Sequence, residues 1–104
     1  MPPHLSGVVA SYTDALFDGD AAGARAFLSK RCTSLIAEPE WTAMVAQAHA
    51  TYSGARVQSY DDDASQLGLE ATAEYQAGPP SLYRSERWVR VGQRWYTDDC
   101  TPLP

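Results

Sequence analysis

Asp98, in the run Thr97-Asp98-Asp99-Cys100, is the residue whose surroundings come nearest to making a catalyst. It closes a stretch of alternating aromatic and charged residues, and a carboxylate turned toward apolar neighbours gains proton affinity and can serve as a general base. One carboxylate without an oxyanion partner specifies no reaction, and an ion pair with Arg87 across the hairpin explains the same residue. His49 stands one position beyond the apolar stripe of a helix, where it reaches either a pocket or the solvent edge. Neither His4 nor His49 is at metal-ligand spacing to the two cysteines, Cys32 and Cys100, so no zinc site is expected. Asp61-Asp62-Asp63-Ala64-Ser65 opens like a calcium loop. The glycine and glutamate that an EF-hand needs further on are replaced by Gln66 and Thr72, which leaves a strand-connecting turn. Ser-His-Asp and Cys-His sets lack any local signature and no Gly-rich phosphate loop occurs; neither a metal nor another cofactor is expected.

The elements that position these residues belong to a chain of 104 residues with a formal net charge of -5. That length makes one domain, burying roughly two-thirds of the surface its unfolded form exposes. The acidic balance argues against nucleic acid and anionic lipid, which reward clustered lysine and arginine. Lys30 is the only lysine, and the arginines of the final hairpin interleave with Glu86, Asp98 and Asp99, as on a solvated strand face. No apolar run approaches the length of about 20 residues that spans a bilayer. MPPHLSGVV is not a signal peptide, so the chain reads either as cytosolic or as the mature part of an exported protein.

Leu5, Val8, Val9, Tyr12, Ala15 and Leu16 recur at helical spacing and predict a first helix over Leu5 to Asp18. Gly19 suits the left-handed residue after a helix end, and Asp20 the cap of a second helix, Ala21 to Lys30. Residues 32–37 read as a short strand or an irregular link. Pro39 opens a third helix that carries Trp41, Met44, Val45, Ala48 and Tyr52 on one stripe and stops before Gly54. Beyond Gly54 the period falls from about 3.6 to 2. Strands are expected at Arg56 to Tyr60, at Gln66 to Gln76 with Leu67, Leu69, Ala71, Ala73 and Tyr75 inward, and in a hairpin of Leu82 to Val91 and Arg94 to Asp99. A two-residue turn at Gly92-Gln93 pairs Val91 with Arg94, Val89 with Tyr96 and Arg87 with Asp98. The fold class is therefore α+β: three N-terminal helices on one face of a curved antiparallel sheet of about four strands.

VVASYTDALFDGDAAGARAFLSKRC and RWVRVGQRWYTDDC resemble the opening helices and the closing hairpin of the NTF2-like superfamily, in particular its small exported actinobacterial members. The resemblance covers nearly the whole chain as a pattern of elements. It implies a cone of helices over a curved sheet, an apolar pocket between them, and often a homodimer through the sheet. Enzymatic members (isomerases, epoxide hydrolases, polyketide cyclases) carry a longer middle with a strand pair, where this chain has only residues 32–37. For this chain the pocket residues would be Tyr12, Met44, His49, Tyr52, Tyr75 and Tyr96.

Cys32 and Cys100 end elements that such a fold brings together, and a bridge between them is expected; two free thiols in a cytosolic protein are the alternative. If Cys100 faces the helices, alternation turns Tyr96 and Asp98 inward and Trp88, Arg90 and Trp95 outward as an interface with a second copy. A twist or bulge before Cys100 would instead place the tryptophans in the core. The function expected is an exported, non-catalytic domain that binds a small apolar ligand or a protein partner. The alternative is a cytoplasmic enzyme with Asp98 as its acid-base residue.

Overall fold

The computed structural model describes residues 4–65 and 67–102. The Pro-rich start and Gln66, the expected first residue of the second strand, lie outside the described residues. Helix α1, Leu5–Phe17, buries Leu5, Val9, Tyr12 and Leu16, the stripe its periodicity predicts. Gly19 takes φ 79° and turns the chain. A side chain there would strain the backbone and press on the His49 ring at 3.1 Å. Asp20 caps α2, Ala21–Arg25, its carboxylate accepting from the Gly23 N–H at 2.9 Å.

The second helix ends at Arg25 rather than Lys30, because the next residues are recruited by the sheet. Thr97 N–H donates to Phe27 O at 2.7 Å and Ser29 N–H donates to Thr97 O at 2.8 Å. Phe27 to Ser29 thereby covers the edge of the last strand, a place where unpaired backbone groups would otherwise be exposed. Ser29 then caps a new helix, α3, Lys30–Leu35, through its Oγ and the Cys32 N–H. Arg25 Nη2 reaches the Ile36 and Thr33 carbonyls at its far end, at 2.8 and 3.3 Å. Most of residues 32–37 is therefore helical, and the described residues form four helices where three are expected. Helix α4, Glu38–Tyr52, has Pro39 in its first turn and buries Trp41, Val45 and Ala48. The Trp41 indole N–H donates to Ala21 O at 2.9 Å and ties α4 to α2.

Strands β1 (Arg56–Asp62), β2 (Glu70–Gly78), β3 (Leu82–Val91) and β4 (Arg94–Thr97) form an antiparallel meander in chain order. With the helices packed on one face, the architecture is α+β. Ala71, Ala73, Tyr75 and Ala77 point into the core, the small residues admitting the helices closely. Leu67 and Leu69 do not follow them: they precede the strand and are 92% and 65% exposed.

The hairpin has the expected register, Val91 opposite Arg94 and Val89 opposite Tyr96. Gly92 takes φ 63° and among the described residues no non-glycine has positive φ, the arrangement of a type II′ turn. The faces, however, are the reverse of those inferred from Cys100. Trp88 is 0% exposed and Trp95 is buried, both against the helices. Arg90 lies over the Trp95 ring, 5.3 Å from its centroid. Tyr96 is outside, with Arg94 over its ring at 5.5 Å. The ladder stops at Thr97, so alternation does not carry on to Cys100, and burial of two indoles outweighs it. Of the expected interface, Trp88 and Trp95 are thus core and Arg90 is half-buried beside Trp95, so the tryptophans offer no outer face to a second copy.

Candidate functional site

Cys32 and Cys100 are joined in a disulfide across a sequence separation of 68, with Cα atoms 5.1 Å apart. The bond draws the chain after β4 across the end of the helical layer. On either side of that segment and beneath it stand Asp98, Glu86, Arg84 and Tyr12, whose surroundings shift their proton affinities.

Asp98 lies on the outer side. Ser29 Oγ donates to its Oδ1 at 2.7 Å and Arg31 Nε at 3.0 Å, and Arg87 Nε is 4.0 Å from Oδ2. Arg31 Nη2 also donates to the Asp98 carbonyl. The Ser29 hydrogen bond, with Arg31 beside it, holds the carboxyl below its usual pKa against the opposing pull of burial. The expectation of an inward base of raised proton affinity is therefore corrected: Asp98 is a ligated carboxylate on an outer ladder that continues through Arg87 to Glu70. Because its folded pKa is depressed, its contribution to stability is present above the unfolded value of about 3.9 and is lost as pH falls through the folded one. Asp98→Asn is accordingly expected to destabilise most at neutral pH, the gap to the parent closing as the pH drops below about 3.9. Denaturant titrations at several pH values check this, and a gap constant from pH 7 to pH 3 would contradict it.

Glu86 is the carboxylate that sequence reading missed. Expected on a solvated strand face, it is 1% exposed, on the same side of β3 as Leu82, Arg84 and Trp88. Arg84 Nε donates to Glu86 Oε2 and Trp88 Nε1 to Oε1, each at 3.3 Å, and the Tyr75 hydroxyl adds a third bond. Burial nevertheless pushes its pKa above the ordinary glutamate value, the donors only partly offsetting desolvation. Burial pulls the other way on Arg84, but Glu86, Tyr75 and Asp99 carry the guanidinium above its usual value. Its Nη2 also donates to Thr101 O at 2.7 Å and stands 3.5 Å from Asp99 Oδ2. The signal for Glu86 was the parity of β3: an inward Trp88 requires an inward Glu86.

Tyr12 packs edge-on against Trp88, ring centroids 5.6 Å apart. Its fully buried hydroxyl has no hydrogen-bond partner among the described residues. Burial and the nearby Glu86 charge push its pKa well up. An unsatisfied buried hydroxyl costs about 1–3 kcal/mol. Tyr12→Phe is therefore expected to stabilise the fold by about 1 kcal/mol in thermal denaturation, and a clear loss would reveal a partner for the hydroxyl.

The other expected pocket residues do not converge on one cavity. Tyr75 is buried on Glu86, and Tyr52 packs 5.6 Å from the Phe17 ring. His49 is exposed, with Nδ1 2.7 Å from Phe17 O, where it fastens α4 to the end of α1. Tyr96 is on the outer face. Met44 alone of the set lies in an open groove of about 370 Å³, with Ala43, Gln47, Thr101 and Pro102. That groove runs between α4 and the segment fastened by the disulfide. Among the described residues no group of three or more His, Cys, Asp or Glu is placed to hold a metal ion, and no helix is long and apolar enough to cross a membrane. Comparison with protein-family models, with curated proteins and with solved structures finds no match to this chain.

Proposed function

We propose that the chain is an exported, disulfide-closed NTF2-like domain that binds without chemistry, taking an apolar side chain of a protein partner into the groove between α4 and the C-terminal segment. The observation that carries this reading is the pairing of a mostly apolar, open groove with carboxylates committed elsewhere. Asp98 is tied to Ser29 and Arg31, and Glu86 is enclosed with Arg84. The disulfide suits an oxidising compartment. An open groove suits a side chain presented by a larger partner better than a free apolar molecule, which gains most from full enclosure.

The surroundings favour a basic partner. Glu40 lies one turn before Ala43 and Met44 on α4, Asp99 adjoins the other wall, and the whole chain is acidic. A short peptide with a phenylalanine flanked by lysines is expected to bind measurably by calorimetry, and its glutamate-flanked counterpart much more weakly. Ala43→Arg, a change at an exposed helical position, fills the groove and should weaken binding at least tenfold. Equal binding by the parent and this variant would place any binding elsewhere. Binding of free indole with none of the peptide would shift the reading to a small apolar ligand.

A further inference from the structure

We propose that residues 98–102 form a thiol-controlled strap: the Cys32–Cys100 bond holds it down over the buried Arg84–Glu86 pair, and reduction of that bond lifts it without unfolding the sheet. The sheet's own hold on this segment ends early. Asp98 N–H donates to Arg87 O at 2.8 Å, and past it the strap's backbone makes no ladder bond to the sheet among the described residues. What secures the remainder is the disulfide, the bond from Asp99 N–H to Thr97 Oγ1 at 3.3 Å, the two contacts of Arg84 with Thr101 O and Asp99, and the burial of Pro102 beside Met44.

The two sulfurs are unequal in access. Cys32 is 0% exposed, whereas Cys100 is only partly buried. A dithiol reductant can therefore attack the Cys100 sulfur as its thiolate, expelling Cys32 as a thiolate that takes up a proton. The reductant's second thiol then displaces Cys100, closing a disulfide within the reductant and leaving both protein cysteines as thiols. Two electrons pass from the dithiol to the protein.

Beneath the strap lies an arrangement that a permanently closed core does not need. A buried ion pair is weak evidence for stability, because desolvation of two charges offsets their attraction. Beside it stands Tyr12, whose hydroxyl lacks a partner and which senses the Asp99 charge from the strap. Lifting the strap gives Arg84, Glu86 and this hydroxyl access to water. It also removes the Thr101 and Pro102 wall of the groove, a consequence that rests on the binding reading above; exposure of Arg84 does not.

The test is labelling of Arg84 by phenylglyoxal, located by peptide mapping, alongside hydrogen exchange of the backbone. In the oxidised full-length protein Arg84 should resist labelling. After treatment with dithiothreitol under native conditions it should label at least tenfold faster while the β2–β3 amides keep their protection, and reoxidation should restore resistance. Cys100→Ser should label without reductant. The strap is overturned if Arg84 stays protected after complete reduction, if its protection disappears together with that of β2 and β3, or if the bond resists excess dithiol in the folded protein.

Discussion

Replacing Arg84 by methionine is expected to lower the unfolding free energy by about 3–5 kcal/mol at neutral pH, because it leaves the Glu86 carboxylate in the core without its cation. Glu86 keeps the donors Trp88 and Tyr75, but neither carries charge. Its pKa, already raised by burial, rises further. A group whose folded pKa is raised contributes stability that is present below the unfolded value, here about 4.3, and lost as pH climbs through the folded one. The deficit of Arg84→Met should thus be small in acid and grow toward neutral pH, the same direction as the Asp98→Asn profile but from the opposite cause, a buried carboxylate left uncompensated rather than a stabilised one removed. Changing both partners, Arg84→Met with Glu86→Leu, removes both buried charges and should recover most of the loss. Urea titrations of the single and double variants at pH 4 and pH 7 decide this; a pH-independent deficit in the single variant would show that packing rather than charge is what Arg84 supplies.

Loss of the disulfide is the second large effect. Closing a loop of this separation restricts the unfolded chain by about 4 kcal/mol in the loop-entropy model. Single domains are stable by about 5–15 kcal/mol, so Cys32→Ser with Cys100→Ser should remain folded at room temperature with a much reduced denaturant midpoint. Its slope with denaturant should rise somewhat, since the unfolded chain without the cross-link is less compact and exposes more surface. A change below about 1 kcal/mol would mean that the unfolded chain gains little freedom when the bond is gone.

The sequence made the punctuation of the fold legible wherever one residue type answers one backbone need. Gly19 with Asp20, Pro39, Gly54 and the Gly92-Gln93 turn each fall where expected, as does the bridge between the two cysteines. Local rules failed where distant contacts compete with them. Ser29 is a good helix cap, but only the pull of Thr97 on Phe27 and Ser29 explains why a helix must stop and restart there. Alternation extended to Cys100 turns the hairpin tryptophans outward and a twist before Cys100 turns them inward; the ladder ends at Thr97 and the burial of Trp88 and Trp95 decides for the second. Starting from those indoles, parity alone places Arg84 and Glu86 inside and Tyr96 outside. The groove could not be read in advance except for Met44, because its other wall exists only through the path the disulfide imposes on Thr101 and Pro102.

Met1 and Met44 are the two methionines of the chain, so a sample labelled with ¹³C at the methionine methyl groups gives a spectrum in which the groove has its own signal. Titrating that sample with the lysine-flanked phenylalanine peptide tests binding at the groove directly. The expected result is a saturable shift of the Met44 methyl signal that is lost in Ala43→Arg. A Met44 signal that stays unmoved while the peptide binds, or at any peptide concentration, would contradict it.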